Sequence, residues 1–376
     1  MGEREENQDM PLLTRNRILK SDVTEKYYKV RSNRVAQGGF GEVYRGAVLD
    51  KNEDECEPVA IKVSLHPIAW HGEAYFGRLL TRNDSVVQLL DAFPVFDGWG
   101  NARKVKYVLV FEWMAEGTVA DRLAQDDTAW DEDRVIESIR PLLEVLDLLH
   151  PRSICHGDIT TRNVFIRDER LMLGDLGITR QSLAEGRRRM HGAPPDDFAP
   201  PSVPEYFWSP SDDVYQIALL ALALLRGKTV KASEVTTLML RRLEISDWFM
   251  GWLYDALLAK DRFRDAREAL ECLTFEPVRP ARAPSSLRDQ RIVITGSLPS
   301  MRRDRAEARA RRARAAVQKD VNGATTLLVT GEPLGGASPS NGGRKLFDAY
   351  RRLRRGQRIA IIDGRRFELL LERERR

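Results

Sequence analysis

The stretch HGDITTRNVFI, His156 to Ile166, sets a carboxylate, Asp158, five residues ahead of a carboxamide, Asn163, and then runs into apolar residues. At that spacing an aspartate can take the proton of an attacking hydroxyl while an asparagine holds a divalent cation, as phosphoryl transfer requires. Other stretches add groups suited to the same chemistry. VAQGGFGEVYRG, Val35 to Gly46, carries Gly38, Gly39 and Gly41. A backbone without Cβ atoms can lie close over phosphates, although a glycine turn between strands is also an ordinary hairpin. Lys62 closes VAIK. Amid β-branched residues its ammonium needs an anion, either phosphate or a carboxylate such as that of Glu73, unless it snorkels to water. Asp175, in GDLG after the strand-like RLML, stands where a carboxylate can reach a metal. Mg2+ takes one or two carboxylates together with phosphate oxygens.

The elements that must position these groups come strands first, then helices. YYKVRSNRVAQGGFGEVYRGAVL predicts two strands about a glycine turn, PVAIKVS a third, and YVLVFEWM another that is buried on both sides. GEAYFGRLL, EDRVIESIRPLLEVLDLLH, DVYQIALLALALLRG and DAREALECL predict helices. The longest apolar run, Ile217 to Leu225, is nine residues, against the roughly 20 a membrane-spanning helix needs, so it predicts a buried core helix.

In this order the pieces resemble the eukaryotic-type protein kinases, over about 25–275. The resemblance implies an α+β two-lobe kinase fold, with a small lobe over 25–114 and a large one over 115–275. It implies that ATP and Mg2+ are the cofactors. Gly38, Gly39 and Gly41 would cover the phosphates, and Lys62 would hold them and pair with Glu73. Val43, Ala60 and Phe165 would enclose adenine along a hinge of Glu112, Trp113 and Met114, with Phe111 guarding the back pocket. Asp158 would be the base, Asn163 and Asp175 the metal ligands, and Asp213 the brace of the catalytic loop.

Several positions depart from the family pattern. Ala36 replaces the first glycine and Leu176 the Phe of DFG, both mild changes. Gly157 replaces the arginine that in the family pairs with a phosphate on the activation segment. Activity is therefore expected not to depend on that phosphate, even if Thr179 or Ser182 is modified. Thr160 replaces the lysine of serine/threonine kinases, and Arg162 stands where tyrosine kinases supply the charge. Serine/threonine specificity is nonetheless expected, from the bacterial-style flavour of the sequence. Pro201 takes the place of the APE glutamate, which leaves Arg262 without its usual mate unless Glu205 substitutes. The run Arg187 to Arg189 suits an acidic substrate or a solvated loop. Lys62, Asp158 and Asp175, whose charges the chemistry cannot replace, are all retained, so a working enzyme is expected rather than an ATP-binding pseudokinase scaffold. HGD also resembles the aminoglycoside and choline phosphotransferases, which act on small molecules.

The proline-rich stretch FEPVRPARAPSSLRDQ, Phe275 to Gln290, predicts a linker over 276–286, and residues 1–24 predict a flexible tail. Beyond the linker, charge changes sign: from Ser285 to Arg376 there are 22 Lys and Arg against 10 Asp and Glu, a net of +12, and the rest of the chain carries −8. An excess of that size points to an anionic partner or to an arginine-rich solvated surface. Here RIVITG, ATTLLVTG and RIAIID predict strands, and RDRAEARARRARAA, GGRKLFDAYRRLRRG and GRRFELLLERE predict helices. The alternation implies a three-layer α/β unit with a parallel sheet. Over 287–376 it resembles a BRCT domain of the kind carried by NAD-dependent DNA ligases. ITGSLPSMRRDRAEA and TTLLVTGEP carry the likeness, with Arg314 and Ala315 where the family has a glycine pair. The resemblance implies phosphate binding by Thr295, Gly296 and Lys345, on DNA ends or a phosphopeptide, and so a kinase brought to DNA in damage or anti-phage signalling. Three scattered cysteines and a charged N-terminus without an apolar signal core lead to the expectation of a cytoplasmic protein off the membrane.

Overall fold

The computed structural model describes residues 11–38, 41–97, 104–176, 180–181, 197–200, 208–276, 278–331 and 343–373. It comprises two compact units, Met1–Glu234 with Arg264–Arg267, and Val235–Phe263 with Glu268–Arg376.

The first unit opens with β1 (Ile18–Lys20), β2 (Tyr27–Gly38), β3 (Gly41–Leu49) and β4 (Glu55–Ser64), followed by α1 (Pro67–Leu79), β5 (Leu89–Asp97) and β6 (Lys104–Glu112). The strands form one antiparallel sheet in the order β1-β2-β3-β4-β6-β5. Strand side chains alternate between faces. Val59, Ile61 and Val63 therefore join Tyr28, Val30, Tyr44, Phe93, Val108 and Val110 in a core on one side, and Ala60 and Lys62 point to the other. Helix α1 packs on that second side through Ala74, against Leu89, Ala92 and Leu109. Leu13 and Leu19 belong to the first core. Residues 11–24, expected as tail, are thus built into the sheet: two buried leucines and pairing with β2 outweigh the polar composition around them.

The rest of this unit is mainly helical, with α2 (Val119–Gln125), α3 (Glu132–Leu149) and α4 (Pro210–Arg226) around the short strands β7 (Ile154–Cys155), β8 (Val164–Arg167), β9 (Arg170–Leu173) and β10 (Arg180–Gln181). β8 and β9 form a hairpin, and β7 pairs with β10. The apolar run expected to be a core helix lies in α4, which is buried from Asp212 to Leu225. The helix begins on a Ser209–Asp212 capping box with Pro210 in the first turn, and ends at Gly227, where φ is 63° and a Cβ would lie 2.0 Å from the Asp127 carbonyl oxygen.

The second unit begins with α5 (Thr237–Arg241), α6 (Asp247–Leu257) and most of α7 (Ala266–Leu273). There follow β11 (Arg291–Thr295), α8 (Arg303–Arg312), β12 (Ala316–Gln318), β13 (Leu327–Thr330), α9 (Gly343–Arg354), β14 (Ala360–Asp363) and α10 (Gly364–Arg373). The four strands are parallel, in the order β12-β11-β13-β14. Ile292, Ile294, Leu327 and Val329 face Ala306, Ala310, Phe367 and Leu371 of α8 and α10, while Val293 and Leu328 face Leu346 and Ala349 of α9. The expected three layers and parallel sheet are present. The helix expected over 303–316 is shorter, because Arg314 turns the chain at φ 62° and β12 then pairs with β11. In the stretch expected as linker, the Ala281 N–H donates to the Ile359 carbonyl (2.9 Å) and Ala281 bridges Ala360 at the sheet edge.

Helix α9 also packs against α6. Phe347 lies on Trp248 and on Gly251, where a Cβ would come within 2.8 Å of its ring. Arg351 is buried and donates to Asp255 (2.6 Å), to Glu268 (3.1 Å) and to the carbonyls of Asp261 and Arg262 (2.7 Å each). Arg344 pairs with Asp255, and Arg355 with Glu268 and Asp261.

Candidate active site

Strand β4 places Lys62 opposite Val43 of β3 and Leu109 of β6. Its ammonium donates to Glu73 Oε1 of α1 at 2.8 Å and to Asp175 Oδ1 at 2.7 Å. Burial works against the charge on Lys62, but Asp175 and then Glu73 outweigh it and hold the ammonium above the ordinary lysine range. Burial pushes the Glu73 carboxyl up to about 7 against the pull of Lys62. A sheet residue, a helix residue and a residue beyond β9 thus meet at one charge: Glu73 is the partner expected of Lys62, and Asp175, expected as a metal ligand, joins it. Asp175 has φ 52°, a conformation aspartate tolerates better than most residues.

The catalytic-loop residues are held from beneath by α4. The Asp213 carboxylate, fully buried, accepts from the N–H groups of His156 (2.8 Å) and Gly157 (2.9 Å) and from the Trp208 indole (2.7 Å), and lies 3.1 Å from His150 Nε2. Although burial opposes ionisation, His150 first among these partners holds Asp213 below the usual carboxylate range. One turn on, the Gln216 side-chain oxygen accepts from the Ile159 N–H at 2.7 Å. The brace expected of Asp213 is therefore in place. His150, Trp208 and Gln216 were not foreseen, because only the folded chain brings them to the loop.

Within the loop, Asn163 Nδ2 donates to Asp158 Oδ2 at 2.7 Å and to the Asp158 carbonyl at 3.0 Å. The other carboxylate oxygen, Asp158 Oδ1, is buried and meets no hydrogen-bond donor among the described residues. Burial, reinforced by Asp175, pushes the Asp158 carboxyl up, against His156, Asn163 and Arg162. Gly157 has φ 82°, the left-handed region, so glycine relieves a strain that an arginine there would carry. Thr160 is buried, and its hydroxyl accepts from the Arg162 N–H at 3.3 Å. It serves the loop itself, while the exposed Arg162 brings the nearby positive charge.

Among the residues expected around the nucleotide, Met114 and Phe165 lie in one apolar cluster with Val87, Met172 and Phe111. Val43, Ala60 and Lys62 share one face of the sheet. Gly41, with φ 151°, approaches the Val63 carbonyl so closely that a Cβ would be 2.3 Å from its oxygen. The Glu112 side chain is turned to other work: it accepts from the Gln88 N–H (2.9 Å) and from Arg167 (2.7 Å), while the Glu112 N–H donates to the Gln88 carbonyl (3.1 Å). Gly38 closes β2 opposite Gly41. Gly39, Thr179, Ser182, Arg187 to Arg189, Pro201 and Glu205 lie outside the described residues.

In the second unit, Thr295 ends β11 and Gly296 follows with φ 72°. Lys345 Nζ donates to the carbonyl of Ile294, the residue before Thr295, at 3.2 Å. A fourth group was missed: Arg303 donates to the same carbonyl oxygen at 2.6 Å. Burial, then the Arg303 charge, lower Lys345 below the ordinary lysine range.

The family described as protein tyrosine and serine/threonine kinase matches residues 30–237, more than half of the chain. The chain belongs to the protein kinases. This kinase domain is followed by a BRCT domain, matched over residues 283–352 by the BRCA1 C Terminus family. The kinase is similar to serine/threonine-protein kinase pak-1 of Caenorhabditis elegans, 26% identical over 236 residues that cover 60% of this chain and 38% of the relative. Serine/threonine-protein kinase PAK 1 of Mus musculus is 25% identical over 208 residues, 54% of this chain and 35% of the relative. A probable LRR receptor-like serine/threonine-protein kinase, At1g05700 of Arabidopsis thaliana, is 26% identical over 250 residues, 60% of this chain and 27% of the relative. The chain spans about a third of the length of these curated relatives. Among the described residues, no helix is long and apolar enough to cross a membrane.

Proposed function

We propose that this kinase is active, and that with Mg2+ and ATP bound it phosphorylates serine or threonine hydroxyls of a protein substrate. The observation that carries the proposal is the Lys62 ammonium held between Glu73 and Asp175, with the unmatched Asp158 Oδ1 on the neighbouring loop. The donor set fits the cofactor. Lys62 is a buried cation for phosphate oxygens, and Asp175 and the amide oxygen of Asn163 are hard ligands suited to Mg2+. When bound, Mg·ATP supplies the phosphoryl group and neutralises its charge. Asp158 Oδ1 accepts the substrate hydroxyl's hydrogen, and the Asn163 amide fixes the rotamer that aims it. Arg162 places positive charge beside Asp158. Activity is independent of a phosphate on the activation segment, because Gly157 offers it no side chain. The serine/threonine assignment is supported by the names of the relatives.

The sheet with α1 serves as small lobe and the helical part as large lobe of a kinase domain read over 25–275, to whose sheet residues 11–24 add β1, with 276–286 joining it to the next domain. The BRCT domain, 287–376, is read as the NAD-dependent ligase type, bringing a cytoplasmic enzyme to 5′-phosphorylated DNA ends. Thr295, Gly296, Lys345 and Arg303 form its phosphate site, supported by two cations converging on one neutral carbonyl.

Incubation with radiolabelled ATP and Mg2+ beside an Asp158→Ala control tests the catalytic half. Labelled protein with wild type alone is expected; label equal in both, or found only in a small molecule, overturns it. Titration with 5′-phosphorylated duplex DNA tests the second half. Binding that ignores salt and Lys345→Ala excludes the DNA site, and capture of a phosphopeptide instead reassigns it.

A further inference from the structure

The phosphate-covering hairpin of β2 and β3 is held from behind. Glu42 follows Gly41 and precedes Val43, whose side chain shares the Lys62 face. By alternation Glu42 points to the opposite face, into the core of Tyr44 and Val63, where its side chain is 7% exposed. A carboxylate so placed needs partners, and it has three. The Leu12 N–H donates to Oε2 at 2.7 Å, the Tyr44 hydroxyl donates to the same oxygen, and Arg34 Nη1 donates to Oε1 at 2.9 Å. The N-terminal segment is fixed there by more than this bond. The Leu13 N–H donates to the Tyr44 hydroxyl at 3.0 Å, Lys106 donates to the Leu12 carbonyl at 2.5 Å, and the Leu13 side chain is buried. Arg34 belongs to β2 and Glu42 to β3, so one carboxylate ties both arms of the hairpin to residues 11–13. The register carries this tie to the cleft: Glu42 pairs with Gln37 and Val63, and Val43 with Ala36 and Lys62. Together with the bond to Leu12, the close approach of Gly41 to the Val63 carbonyl leaves the strand little room to slide over β4.

We infer that Glu42 is a positioning residue, through which the N-terminal segment Pro11–Leu13 sets the position of strands β2 and β3 beside the nucleotide site and thereby tunes affinity for Mg·ATP. The nucleotide part of this inference rests on the proposed kinase activity; the hairpin part does not.

The test uses full-length variants. Glu42→Ala removes all three bonds, Leu12→Pro removes the N–H given to Glu42, and Glu42→Gln keeps an acceptor oxygen for Leu12 and Tyr44. Hydrogen exchange in the peptide covering 34–44 is measured without nucleotide, and Kd for Mg·ATP by calorimetry. Glu42→Ala and Leu12→Pro are expected to speed exchange across 34–44 and to weaken Mg·ATP about tenfold, with Glu42→Gln recovering most of the loss. KM for ATP should rise with kcat nearly constant. Thr24→Ala, which loosens the same segment at Asp91 instead, should leave exchange in 34–44 and the Kd within about twofold of wild type. A merely structural Glu42 would lower the melting temperature while exchange in 34–44 rose no more than in the rest of the sheet, and that result overturns the inference. If exchange responds as expected but wild type itself fails to bind Mg·ATP, the kinase proposal fails and the role of Glu42 in holding the hairpin stands.

Discussion

Burying a carboxylate oxygen without a donor costs a fold about 1–3 kcal/mol, and Asp158 Oδ1 stands in that condition while its neighbour Oδ2 is bonded to Asn163. In the proposed mechanism the unmet oxygen is the one that takes the substrate hydroxyl's hydrogen. Lys62 is the converse case, an ammonium with two carboxylates and little water. Replacing it by methionine leaves Glu73 buried without its cation, which should destabilise the folded chain by about 3 kcal/mol. The loss should grow with pH. Glu73 is already raised to about 7 in the folded chain, and without Lys62 it binds its proton more tightly. Stability linked to that proton is present at low pH and lost as pH rises through the folded pKa. Urea melts of Lys62→Met should show a larger deficit against wild type at pH 8 than at pH 6. Asp97 runs the other way. Arg17, then Lys106, hold its carboxyl well below the usual range. Asp97→Asn should cost about 1 kcal/mol at pH 7, after discount for partial exposure, and the deficit should shrink as pH falls below about 4. Lys62, Glu73, Asp158, Asn163 and Asp175 were legible in the sequence because each is a polar group in an apolar or glycine setting. Arg303 was not, because one arginine among many has no local mark until the turn after β11 brings it to the Ile294 carbonyl.

At the scale of elements, strong periodicity made α3, α4 and the β2–β3 hairpin readable. Short pieces were not. β12 is three residues long and exists because β11 offers an edge; β1 is equally short and owes its place to β2. Helix α6 escaped notice because Gly251 interrupts its helical signal, and the reason for that glycine, the ring of Phe347, lies almost a hundred residues away. The turn from α8 to β12 makes a specific demand. Arg314 occupies the left-handed region at φ 62°, a conformation that costs a side-chain-bearing residue about 1–2 kcal/mol relative to glycine. Arg314→Gly should therefore raise stability by about 1 kcal/mol, net of the entropy glycine adds to the unfolded chain. A denaturant midpoint that falls instead would mean that the arginine side chain contributes more than its backbone costs.

At the scale of the whole molecule, the division into compact units does not follow the proline-rich stretch. Residues 235–263 pack with the C-terminal sheet, because Arg351 closes a buried cluster with Asp255 and Glu268. Breaking such a cluster from one side strands the other charges. Arg351→Ala should cost the second unit about 3–5 kcal/mol, read from tryptophan fluorescence at Trp248 and Trp252. A change below about 1 kcal/mol would place the cohesion of this unit in its apolar contacts instead. Such a cluster was invisible in composition, where the same arginines counted simply as positive charge. Arg344, Arg351 and Arg355 are matched by acidic side chains inside the fold, so the long-range field of the C-terminal region is weaker than a bare residue tally implies. At the proposed phosphate site, discrimination among ligands would then fall to short-range geometry around a single carbonyl, and a partner that offers only bulk negative charge would gain little there.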